Sequence, residues 1–268
     1  MDIINELADD QFEQIDDLLA FVSIYDDDNR RKAYFRLLQE HEADIRNAVC
    51  VEAGCGFGLM AEKMAQLGAR RVYAVEANRH LYKIARQRLQ RYDNVSIIHA
   101  DIRDFKPPEP VSLLVHEFFG QLLFDEDIHV LDQLQFSPGR ILPNKAILKM
   151  IALNAADYVD DVVTTLVLNE LRGALVSGLF DGEDVQPDIP IMKWQPGLMN
   201  AKAEGNLDDL SGDLLCFGLE IYHEDKLICR AEECDNWSYV WTPRAGNRFR
   251  LEFEPGDRGA QVNFSWID

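Results

Sequence analysis

An α/β fold is predicted, with helices first, then a parallel sheet flanked by helices, then a mainly β region. Three observations predict it. Apolar residues recur at helical spacing over residues 1–46, and short apolar runs alternate with helical patterns from 47 to 144. From 145 to 268, Gly, Pro and Asp punctuate short strand-like runs. The 268 residues suffice for one large domain or two modest ones with a buried core.

In order along the chain, Phe12, Ile15, Leu18, Leu19 and Val22 mark a first helix, and Tyr34, Leu37 and Leu38 a second. Asp26-Asp27-Asp28-Asn29 between them predicts a break and a cap. Ala48–Val51 reads as a buried strand entering a glycine turn. A helix follows over Leu59–Leu67, a strand over Arg71–Glu76 and a helix over Leu81–Tyr92. Strands at Val95–Ile98 and Val111–Val115 complete the alternation, which implies right-handed crossovers and a parallel sheet. After Pro138-Gly139, Ile141–Leu153 reads as strand, residues 160–177 as helix, and Cys216–Tyr222 and Arg248–Glu254 as strands.

The formal net charge is −20, which repels phosphate backbones and anionic lipid and favours a cationic partner; acidity that serves solubility alone is the alternative. Nucleic acid is therefore not expected as a partner. No apolar run reaches the roughly 18 residues of a membrane span, and MDIINELADD lacks the basic and apolar regions of a secretory signal. A cytoplasmic location without a membrane partner is expected. The five cysteines form no C-x-x-C pair and read as reduced, buried thiols. The six histidines have no metal-ligand spacing, so no metal is predicted.

The chemistry concentrates at the carboxyl ends of the predicted strands, where such sheets bind ligands. Gly54-Cys55-Gly56-Phe57-Gly58 is G-x-G-x-G, with Leu59 where a dinucleotide pattern would place its third glycine. Glu76 ends the second strand, where a carboxylate can accept both ribose hydroxyls. Asp101 follows the third strand and suits an adenine edge; Ala77 and Ile102, beside these acids, fall in the same site. Glu52 precedes the glycines and can meet an ammonium. Together these features fit S-adenosyl-L-methionine better than NAD.

After the fourth strand comes His116-Glu117-Phe118-Phe119-Gly120-Gln121-Leu122-Leu123-Phe124-Asp125-Glu126. Here the chain resembles the protein arginine N-methyltransferases, a family of class I, Rossmann-like methyltransferases. Their two-glutamate loop begins Ser-Glu-Trp-Met-Gly and has eight residues between its glutamates; Glu117 and Glu126 fall in that register, with Gly120 and Phe124 also matching. Val49–Gly56 resembles the family's first motif, and Pro138–Pro143 the entry to its β-barrel. Asp28-Asn29-Arg30-Arg31 with Phe35-Arg36 resembles its N-terminal helix, and the resemblance makes Arg31 the arginine that meets the cofactor carboxylate.

The resemblance implies a methyltransferase in which Glu117 and Glu126 clamp a guanidino group of a protein, a peptide or free arginine. A guanidinium is planar and always protonated, hence a poor nucleophile. Two carboxylates can bond it in parallel, orient one nitrogen and draw charge to the others. The match fades further on. Asp235-Asn236-Trp237-Ser238 resembles the family's Thr-His-Trp loop, with Asn236 in place of the histidine and Trp237 retained; the alternative is that Trp237 is barrel core. Phe12–Asp16 lacks the family's two helix tyrosines. Val162, Val163, Leu166, Val167, Leu171 and Leu175 give residues 160–177 an apolar face, which either covers the chain's own barrel or makes a homodimer contact. His116 either lines the site or packs at a strand end. Two other readings stay open: a methyltransferase of this fold acting on another small-molecule amine, and a non-catalytic scaffold.

Overall fold

The computed structural model describes residues 9–182, 184–234, 237–256 and 259–267, apart from the side chains of 9, 10, 13, 14, 16 and 17. Helix α1 covers Asp9–Asp26, α2 Asp28–Glu40 and α3 Glu42–Ile45. The predicted acidic break is there. Asp27 is the N-cap of α2, and its carboxylate accepts the Arg30 amide at 2.8 Å, satisfying a donor that a helix start leaves open. Helical periodicity then turns Arg30, Ala33, Tyr34, Leu37 and Leu38 inward.

The chain divides into two compact units. One runs through Glu117 and resumes at Gln133–Leu142; the other takes Phe118–Asp132 and the chain from Pro143 onward. The segment after the fourth strand thus belongs to the second unit, whereas the sequence suggests one continuous cofactor domain over 47–144. The reason is apolar. Leu122, Leu123 and Phe124 are buried there, with the Phe124 ring 5.9 Å from Phe253.

The first unit is built on β1 (Val49–Ala53), β2 (Arg71–Glu76), β3 (Val95–His99), β4 (Leu113–His116) and β5 (Arg140–Leu142). Their order is β3-β2-β1-β4-β5, and every pair is parallel. Helix α4 (Leu59–Gln66) joins β1 to β2, and α5 (Arg79–Leu89) joins β2 to β3. Every residue of β1 and β4 is buried, as expected of strands covered on both faces. The order reverses beside β1, the switch point where a crevice opens at the carboxyl ends of open α/β sheets.

The second unit holds β6 (Lys145–Leu153), α6 (Thr165–Glu170), β7 (Val176–Ser177), β8 (Ile189–Gln195), β9 (Leu198–Met199) and β10 (Lys202–Asn206). It continues with β11 (Leu214–His223), β12 (Lys226–Arg230), β13 (Val240–Pro243), β14 (Arg248–Pro255) and β15 (Ala260–Trp266). One antiparallel sheet runs β7-β13-β11-β6-β8-β9, with β12 added to β11; a second runs β10-β14-β15. The predicted mainly β region is found.

Three expectations are corrected. Ile141–Leu153 is not one strand: it breaks at Pro143, which has no amide for a ladder, and β5 pairs parallel with β4. Residues 160–177 are helical only over Thr165–Glu170. Asp160 instead draws the Val162 and Val163 amides into a turn, each at 2.7 Å, and Gly173 takes a φ of 87° that ends helical geometry. The cysteines are not all thiols. Cys229 and Cys234 are disulfide-bonded, while Cys50, Cys55 and Cys216 are free and buried.

Candidate functional site

The glycine turn connects β1 to α4. Gly54, Gly56 and Gly58 have φ of 64°, 51° and 77°, a region that side chains rarely tolerate. At Gly56 an added Cβ would also collide with Phe21 of α1. The turn is stitched to the end of β2: the Cys55 amide donates to Val75 O at 2.9 Å, and the Gly56 amide to Glu76 Oε2 at 2.8 Å. Glu76 Oε1 accepts the Asn78 amide at 2.7 Å. Burial raises the Glu76 carboxyl pKa, opposed by these amides.

Glu52 lies deeper. Its oxygens accept the Met60 and Ala61 amides, at 3.2 and 2.7 Å, and so cap the first turn of α4. Burial pushes its carboxyl up to about 8, against the pull of those amides, with the charges of Glu117 and Glu76 adding to the rise. Asp101 accepts the Arg103 amide at 2.8 Å and is chelated by the Arg103 guanidinium, with 2.6 Å between Nη2 and Oδ2. Ile102, the next residue, is buried, and Ala77, which follows Glu76, is exposed.

Tyr25 sits on the turn. Its hydroxyl donates to Cys55 O at 3.1 Å and accepts the Phe57 amide at 3.2 Å, and its ring stacks on Phe57 at 4.8 Å. Burial, with Glu52 and Glu117 nearby, raises the phenol pKa well above its usual value, so Tyr25 stays neutral.

The two adjacent arginines of α2 part company. Arg31 reaches outward to Asp28 and to Tyr25 O, the latter at 2.7 Å, and lines a cleft of about 530 Å³ with Tyr25, Phe35 and Phe57. Arg30, which the sequence reading did not single out, is buried and ion-paired through Nε with Glu117. A signal was present: Arg30, Tyr34 and Leu37 repeat at i, i+4, i+7, so Arg30 belongs to the apolar stripe and Arg31 does not. His116, the last residue of β4, is buried.

In the second unit, Glu126 is exposed. Trp237 is buried, and its indole Nε1–H donates to Phe119 O at 3.1 Å, tying its loop to the Phe118–Asp132 segment. Asn236 lies outside the described residues. Among the described residues no group of three or more His, Cys, Asp or Glu side chains is disposed to hold a metal. Nor is any helix there long and apolar enough to cross a membrane.

Residues 50–134 match the family model described as Methyltransferase domain. The fold is similar to that in the Trypanosoma brucei PRMT1 enzyme–prozyme heterotetrameric complex with AdoHcy. That match has a TM-score of 0.66 and 16% identity, over 92% of this chain and 93% of the other. Arabidopsis thaliana protein arginine methyltransferase 10 matches with a TM-score of 0.64 and 16% identity, over 92% and 96% of the two chains. The fold is that of the protein arginine methyltransferases. In sequence, this methyltransferase-like chain is 30% identical over 136 residues to a probable protein arginine N-methyltransferase 6 of Arabidopsis thaliana, covering 48% of this chain and 31% of that protein. It is 27% identical over 144 residues to protein arginine N-methyltransferase 2 of Dictyostelium discoideum, covering 51% and 28%. The matched stretch spans about a third of these curated relatives' length.

Proposed function

We propose that this chain transfers a methyl group from S-adenosyl-L-methionine to a guanidino nitrogen of arginine, in a protein, a peptide or the free amino acid. The observation that carries the reading is the Glu76 carboxylate. It is buried at the carboxyl end of β2 and bonded to the Gly56 amide of the turn. A carboxylate has about four acceptor positions; the Gly56, Ala77 and Asn78 amides engage it, so one position remains for a ribose hydroxyl. Gly54, Cys55 and Gly56 would line the cofactor with Ala77, Asp101 and Ile102, and Glu52 and the α2 arginines would face its amino-acid end. When bound, this cofactor supplies a methyl group on a positively charged sulfur.

Glu117 and Glu126 are the carboxylates we assign to the acceptor. Each would accept charge-assisted hydrogen bonds from the guanidinium, fixing one nitrogen and drawing positive charge toward the others. One of them would take the proton released after transfer. Trp237, with Asn236, would border the acceptor. Labelled-methyl transfer to free arginine, arginine peptides and lysate protein tests the reading. E117Q and E126Q should each cut turnover severely and leave cofactor affinity nearly intact; normal turnover in both variants would end the guanidino assignment.

A second reading, a scaffold that binds cofactor weakly, draws on Tyr25, whose hydroxyl bonds both Cys55 and Phe57 in the turn. Calorimetry with S-adenosylmethionine separates the two, since a scaffold gives little or no heat of binding. We further infer a homodimer through α6: Val162 and Leu166 are 78% and 77% exposed, whereas Leu168 is buried. Light scattering on L166D should then report a monomer. The cytoplasm is our proposed location, to be checked by cell fractionation.

A further inference from the structure

The Phe118–Asp132 segment folds back on itself before it reaches Glu126. The Leu123 amide donates to Gly120 O at 3.1 Å, the Phe124 amide to Leu122 O at 3.0 Å, and Gly120 and Leu123 form an isolated antiparallel bridge. Leu123 takes a φ of 78°, unusual for a branched residue and consistent with a conformation fixed by its surroundings. What fixes it is Asp125. Its Oδ1 accepts the Leu122 amide at 2.9 Å, so the carboxylate fills the inside of the turn. Gly120 is the matching concession: an added Cβ there would collide with that carboxylate. Burial raises the Asp125 carboxyl pKa, with backbone amides opposing the rise.

The residues on either side of Glu126 are also tied to the β14–β15 hairpin, Asp125 through its backbone and Asp127 through its side chain. Asp125 O accepts the Ala260 amide at 3.2 Å, and Asp127 Oδ1 accepts the Gly259 amide at 3.2 Å. Glu126 therefore stands between two anchored aspartates while its own side chain reaches solvent.

We propose that Asp125 is a positioning residue for Glu126: its carboxylate fastens the Gly120–Asp125 turn from within, and this fastening holds the following glutamate for the acceptor. The proposal rests on the assignment of Glu126 to the guanidino group. It assigns Asp125 no contact with the acceptor.

The test combines four variants with three readouts. D125A should raise the KM for an arginine peptide by roughly ten- to hundredfold, the scale of loss that misplacement of a binding group causes. Its Kd for S-adenosylhomocysteine should stay at the wild-type value, and deuterium exchange at the Leu122 amide should accelerate. D125N keeps an acceptor oxygen of the same shape, so its KM should stay within about threefold of wild type. G120A should be damaging in the wild-type background yet add nothing to D125A, because removing the carboxylate makes room for the methyl group. The proposal is overturned if D125A keeps a normal KM and a protected Leu122 amide, if D125N is as impaired as D125A, or if G120A and D125A losses simply add. Should D125A not fold, D125N and G120A still decide. Absence of transfer to any guanidino acceptor by the wild-type protein would remove the role assigned to Glu126; exchange at Leu122 would still report whether the turn is fastened as described.

Discussion

Arg30 and Glu117 form a buried ion pair, Nε to Oε1, across 87 positions of chain. Only 4% of the Arg30 side chain and 18% of that of Glu117 is exposed. One carboxylate assigned to a guanidino substrate is thus already held by a guanidinium of the protein. A carboxylate has two oxygens and can serve two donors, so the resident arginine can orient Glu117 without exhausting it.

R30K keeps the charge and loses the planar fork. It should lower kcat/KM by roughly ten- to hundredfold through misorientation of Glu117. R30A should also cost stability, about 3 kcal/mol, because it strands a largely buried carboxylate. Steady-state kinetics and denaturant unfolding check these separately; wild-type kinetics in R30K would mean that the pair is structural only.

E76Q replaces one acceptor oxygen by an NH2 group that faces a backbone N–H. Cofactor affinity should fall roughly ten- to hundredfold, in line with a hydrogen bond to charge of about 1.5–3 kcal/mol. Calorimetry measures it, and an unchanged Kd would remove Glu76 from the site.

Glu52 predicts a pH dependence. Its folded carboxyl titrates near 8 and its ordinary value is 4.5. Between these values the folded chain keeps a proton that the unfolded chain has released. The unfolding free energy should therefore fall as pH rises through that window, by at most about 1.4 kcal/mol per pH unit, and level off above it. Below 4.5 both states are protonated and the contribution is flat. E52Q should flatten this part of the profile. Urea unfolding of both proteins across the window is the check, and parallel profiles would contradict it.

The parallel sheet was readable because its strands are buried on both faces, so runs such as Val49–Ala53 carry the signal without their neighbours. The glycine turn and Glu76 were readable because a tight turn and a strand-end acid are local patterns. The resemblance points to the second of two adjacent arginines, whereas the inward stripe of α2 selects the first, Arg30. Valines and leucines recur at helical spacing over 160–177, but the Asp160 carboxylate takes the Val162 and Val163 amides out of any helix. Asp125 reads in sequence as one more acid in an acidic stretch. Its role depends on the chain turning back at Gly120, which no spacing announces.

The bridge between Cys229 and Cys234 closes the turn that leads into Trp237. A covalent staple there limits local opening. It also couples completion of the fold to electron balance, since cytosolic glutathione keeps most dithiols reduced. Of the five cysteines, three are free. Alkylation of unreduced, denatured protein taken from its own cells should therefore label three sulfurs where the staple has formed and all five where it has not, and that tally reads out the redox setting in which the chain matures.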